Sequence, residues 1–127
     1  MSLTVYILEI KDGDKLRLVE SFSKDMDIRF EVDREHNFTK VPDTYWKMYI
    51  YSNEWLQKQL STAIPIFLEE GRFFDYFSLY KRDKENHIYH IPRIFKSNVL
   101  MKEKHLLPKS FDDLRGDTIL NGWLEGV

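Results

Sequence analysis

The chain has 127 residues and a formal net charge of −2, a size that fits one domain over residues 1–127 with enough buried surface for a real core. Cysteine is absent, which excludes disulfide frameworks, zinc–thiolate sites, iron–sulfur clusters and a thiol nucleophile. With 43% hydrophobic and 15% aromatic residues, the composition is that of a folded chain rather than a disordered one.

The charge is unevenly spread. Residues 1–80 hold 10 basic and 14 acidic groups, residues 81–109 hold 8 and 3, and residues 110–127 hold 1 and 4, so a basic band lies between two acidic regions. The first ten residues lack a basic leader region, and no window approaches eighteen apolar residues. Neither a signal peptide nor a membrane span is therefore expected, and the compartment reads as cytoplasmic. On that reading the sequon Asn37-Phe38-Thr39 is a chance match.

Leu3–Ile10, rich in β-branched and aromatic residues, reads as a first strand. Asp12-Gly13 between apolar runs predicts a hairpin turn, with Leu16–Phe22 as the return strand. After a turn at Ser23–Asp25, Met26, Ile28, Phe30 and Val32 alternate with Asp27, Arg29, Glu31 and Asp33, which predicts a strand with one face on the core and one in water. A loop over Glu35–Asp43 leads to a fourth strand, Thr44–Tyr51, with Trp46, Met48 and Ile50 inward.

A helix is expected from Asn53 to Glu70, since Leu56, Leu60, Ala63, Ile64 and Phe67 share one face; Pro65 should kink or shorten it and Gly71 suits its C′ position. Phe73–Tyr80 and His87–Phe95 form a second hairpin across Lys81–Asn86. Pro92 places the return strand at an edge or a bulge. Asn98–Leu107 has a broken helical pattern ending at Pro108, a capped turn follows at Ser110, and the apolar tail Thr118–Val127 should dock. The expected order is ββββ-α-ββ-α. It defines an α+β fold whose antiparallel sheet carries one main helix on one face, has a helical C-terminal segment, and leaves the other face partly open.

Few residues suggest chemistry. His87 and His90 have metal-pair spacing on a helix, but on a strand they lie on opposite faces, so no metal is expected. Asp112, Asp113 and Asp117 around Arg115-Gly116 are of the type that holds Mg²⁺ or does acid–base work; the simpler reading is a capped turn. Asp12-Gly13-Asp14 lacks the further carboxylates of a calcium loop, and no phosphate loop, dinucleotide fingerprint or Gly-x-Ser-x-Gly elbow is present. No cofactor is expected.

The 72–96 segment remains. Its strand residues carry aromatics on both faces, beside bases. The candidate binding set is Arg72, Phe74, Tyr76, Tyr80, Lys81, Arg82, Tyr89 and Arg93. The leading expectation is a small non-enzymatic binding protein that contacts another protein, or a second copy of itself, through an aromatic sheet surface. One alternative is a single-stranded nucleic-acid binder using the aromatic and basic groups of this hairpin. Another is an enzyme built on His87, His90 and the three aspartates. In size, aromatic content and lack of catalytic motifs the chain is similar to toxin-immunity and phage-encoded inhibitor proteins, a likeness of character that carries no residue across.

Overall fold

The computed structural model describes residues 2–11 and 13–126. Its elements are β1 (Ser2–Leu8), α1 (Lys15–Glu20), β2 (Asp27–Asp33), β3 (Trp46–Tyr51), β4 (Glu54–Leu56), α2 (Lys58–Glu70), β5 (Tyr76–Arg82), β6 (Ile88–Lys96) and β7 (Gly116–Gly126). The strands form one mixed sheet in the order β2-β1-β3-β6-β5-β7-β4. β1 pairs parallel with β2 and β3, and β5 with β7, whereas β3–β6, β5–β6 and β4–β7 are antiparallel. This corrects the expected antiparallel sheet with a main helix: the molecule is mostly sheet, curled into a half-barrel, with two short helices. The curl follows from connectivity. β4 is the outer strand on one side, yet only Ser52 and Asn53 separate it from β3 near the middle.

The predicted first hairpin is a parallel crossover instead. Asp12 lies outside the described residues; beyond it Asp14 accepts a hydrogen bond from the Arg17 amide at 3.1 Å and starts α1. Leu18, Val19 and Phe22 all reach the core, and their spacing suits 3.6 residues per turn better than alternation. α2 begins at Lys58, with Gln57 as its cap, because Glu54–Leu56 pair with β7. Pro65 lies inside this helix.

The expected helical C-terminal segment is also absent. Residues 97–115 are irregular, tied by a Met101–Pro108 bridge, and the tail is β7; Val127 lies outside the described residues. Ile119 and Leu124 are both fully buried although an odd spacing puts strand residues on opposite faces. The register explains it: Leu79 pairs with Ile119 but Lys81 with Leu124, so β7 bulges by three residues. Gly122 sits in that bulge at φ +72°, where a Cβ would lie 2.6 Å from the Leu60 amide nitrogen.

Both sheet faces carry a buried cluster, although exposed residues of β2 and of the outer part of β6 leave parts of the sheet open to solvent. One core joins Leu3, Val5 and Ile7 to Trp46, Met48, Phe77, Ile94 and the helices. The opposite face carries a second cluster of Tyr6, Leu8, Tyr49 and Phe95 under Phe38, Val99 and Met101 from the two long loops. No helix among the described residues is long and apolar enough to cross a membrane.

β2 ends the sheet opposite β4, so Phe30 is only partly buried, edge-on to Phe22 at 5.3 Å, while Phe77 is fully buried. Phe77→Ala should cost ~3–5 kcal/mol, Phe30→Ala distinctly less, and the exposed Arg29→Ala within about 0.5 kcal/mol. Urea midpoints at constant m-value check this ordering.

Candidate functional site

The densest concentration of charge lies inside the half-barrel. Glu54, Arg93 and Lys81 are 3%, 5% and 9% exposed. Arg93 Nη1 donates to Glu54 Oε1 at 2.8 Å and Nη2 to Oε2 at 3.0 Å, a bidentate pair. Lys81 Nζ donates to Oε2 at 2.6 Å. Burial pushes the Glu54 carboxyl up, but Arg93 and then Lys81 outweigh it and hold it below the usual carboxylate range.

The backbone explains why these ions are here. The β3–β6 ladder stops at Met48–Ile94, because β6 bulges against β5 between Phe77 and Ser78. Odd-numbered residues of β3 turn their amides and carbonyls toward β6, as the Ser97 amide bonded to the Tyr45 carbonyl shows. Past the ladder's end those groups lose strand partners, and side chains replace them: Arg93 Nη1 donates to the Tyr49 carbonyl at 3.2 Å, and the Tyr51 amide donates to Glu54 Oε1 at 2.7 Å. The ion pair completes the sheet's hydrogen bonding where the strands part.

A second buried cation, Lys47, is 1% exposed. Its Nζ donates to the carbonyls of Ser97 at 3.2 Å and Val99 at 2.7 Å, pinning the 97–115 loop to β3. Burial without a carboxylate partner lowers its pKa to about 8.

The structure divides the sequence-predicted binding set. Lys81 and Arg93 are committed to Glu54. Arg82 bonds Glu125 at 2.5 and 3.2 Å and lies 5.1 Å from the Trp123 ring centre. Phe74 packs toward the helix-side core and Tyr76 into the opposite cluster, between Phe95 and Phe111. Tyr80 meets His90 edge-on at 6.4 Å. Arg72 and Tyr89 are exposed. The eight residues therefore do not form one surface.

His87 turns to Asp83 and Glu85, 3.5 and 3.6 Å away, while His90 lies against Tyr80. Asp113 and Asp117 belong with the start of β7, paired near Phe77. His87, opposite Asp83, sits roughly 20 Å from Phe77 by the rise of a strand and His90, paired with Tyr80, roughly 10 Å, so the histidines and aspartates do not converge on one point. Sequence reasoning missed the tip cluster of Asp83, Glu85 and His87, whose ligand atoms lie within 4.8 Å of one another. Asp83 Oδ1 accepts the amides of Glu85 and His87, both at 2.9 Å, and this turn chemistry accounts for the grouping.

Beyond the seam the β5–β6 hairpin runs on without β3. The Asp83 amide donates to the His87 carbonyl, so by antiparallel alternation Lys81–Tyr89 and Leu79–Ile91 are the hydrogen-bonded pairs. Ile88, His90 and Pro92 then turn their backbone groups away from β5, toward a side where no strand lies among the described residues. Pro92 has no N–H to leave unpaired, as the edge-or-bulge expectation required. Ile88 is 57% and Tyr89 46% exposed. Compared with known proteins, the chain matches no family model and no curated sequence.

Lys47 supplies a pH test. Its folded pKa lies below the ordinary 10.5, so between about pH 8 and 10.5 the unfolded chain holds a proton that the folded chain has shed, and stability rises with pH. Burial raises Tyr6 to about 12 and also raises Tyr49, which reverses the trend above pH ~10 as unfolded tyrosines ionise. From about pH 8 to 9.5 the wild type should gain about 1–1.5 kcal/mol. Lys47→Met should flatten that gain in denaturant titrations at each pH.

Proposed function

We propose that this chain is a non-enzymatic binding protein that takes a partner protein by strand addition along the outer edge of β6. One observation carries the reading. Ile88 and His90 present unpaired backbone donors and acceptors, flanked by the exposed Ile88 and Tyr89 side chains. Proteins normally blunt such edges with proline, bulges or charge. Here the proline and the bulge come at residues 92 and 93, leaving 88–91 usable. Main-chain bonds would give affinity and the side chains on each face specificity. The seam residues then act as scaffold, holding the hairpin at a fixed angle.

The nucleic-acid alternative is less favoured, because Lys81, Arg82 and Arg93 spend their charge on Glu54 and Glu125, leaving little to meet phosphates. The enzyme alternative is less favoured because His87 lies beyond one end of β5, His90 beside Tyr80, and Asp117 at the other end beside Phe77.

Co-purification from the native host with mass spectrometry tests the proposal. Tyr89→Ala should weaken capture of a stoichiometric partner by ~2 kcal/mol without lowering the melting temperature. Tyr76→Ala should lower the melting temperature and spare capture. No stoichiometric partner, counting a second copy of this chain as well as a host protein, or capture indifferent to Tyr89, would overturn the proposal.

A further inference from the structure

We infer that the partner on the β6 edge is a second copy of this chain, paired antiparallel about a two-fold axis at Tyr89. The inference rests on the strand-addition reading above. Outward-facing residues of two antiparallel edge strands pair directly with each other. With the axis at Tyr89, Ile88 of one protomer faces His90 of its partner, and His90 faces Ile88. Both residues offer an N–H and a C=O, so the two pairs use every donor and acceptor and leave none over.

The ends match in the same way. The next outward position is Pro92 on one side, which has no donor. On the other is Asn86, whose amide is already bonded to the Asp83 carbonyl at 3.1 Å. Each strand therefore terminates the ladder where its partner's does, which is what a two-fold contact requires of a single sequence.

The side chains agree with the same axis. Tyr89 falls on a non-hydrogen-bonded pair opposite its own copy, where cross-strand Cβ atoms approach to about 4.5–5.5 Å, so two exposed rings cover each other. Ile88, on the opposite face, lies beside the imidazole of His90 from the partner. None of the three residues at the axis carries a formal charge with histidine neutral, so no like charges are set face to face.

Sedimentation velocity over a concentration series, with single-cysteine variants of this cysteine-free chain, tests the inference. The wild type should dimerise reversibly. His90→Pro removes an outward amide that β5 does not use, so it should keep the circular dichroism of the wild type and raise the dimer dissociation constant about tenfold or more. Under mild oxidation Tyr89→Cys should form a disulfide-linked dimer faster than Ile88→Cys, whose Cβ faces His90 rather than itself, and faster than Leu100→Cys on the distant loop. A wild type that stays monomeric at every concentration, or a Tyr89→Cys that cross-links no faster than Ile88→Cys, overturns the inference. If the monomer still captures a different protein in a His90-dependent way, the self-pairing alone fails. If capture and dimerisation both ignore His90→Pro, the strand-addition reading fails as well.

Discussion

Glu54 accepts from three directions at once: the guanidinium of Arg93, the ammonium of Lys81 and the backbone amide of Tyr51. Taking three ionised groups out of water costs several kcal/mol each, and replacing such a cluster with well-packed apolar groups often does not weaken a protein. Removing one member is different, because it strands the others in a dry site, typically at ~3–5 kcal/mol. What this network contributes is closure. A seven-stranded sheet that curls back on itself must part somewhere, and between β3 and β6 it parts where the carbonyl of Tyr49 and the amide of Tyr51 lose strand partners. Arg93 and Glu54 supply what the missing ladder would have supplied.

The same bulge has a second effect. It swings Arg93 into the seam and bends β6 away from β3, so the hairpin continues with one side unpaired. The closed part and the open part of the molecule are thus two results of one irregularity beside Pro92. Lys47 plays a related part on the other face, where its ammonium carries the 97–115 loop against the sheet through two carbonyls. A neutral amine would do this at lower cost, hence its low pKa.

Much of this was legible in the sequence, and the failures share a cause. The β5–β6 hairpin, the inward Ile28 and Phe30 of β2, the inward face of β3 and the stripe of α2 from Leu60 follow from local periodicity, whereas Val32 is exposed, Asp33 is buried and Leu56 lies in β4. Parallel pairing of β1 with β2 and β3 leaves no local trace. α1 has six residues, and its leucines at 16 and 18 mimic alternation. β4, only three residues long, exists because β7 is there to pair with it. In β7 a three-residue bulge puts Ile119 and Leu124 on one face, where the alternation of a regular strand would separate them. Lys47 occupies a position that alternation assigns to solvent, Lys81 shares the face of the buried Phe77 and Leu79, and Arg93 sits in a bulge that alternation does not anticipate. The one available signal was the run Tyr45–Tyr51, whose aromatic residues on both sides of Lys47 are the mark of a strand buried on two faces.

Residue-resolved hydrogen exchange at the Tyr51 amide, compared between the wild type and Arg93→Lys, tests the seam most directly. If the Glu54–Arg93 pair replaces the lost ladder, this amide should be protected to the level of the β1–β3 ladder in the wild type, opening only on global unfolding. In Arg93→Lys, which lacks the bidentate fork, it should exchange through local opening at a markedly lower free energy while the β1–β3 amides keep their order of protection. A Tyr51 amide that exchanges in the wild type as freely as a loop amide, or that is untouched by the change at Arg93, would contradict the account.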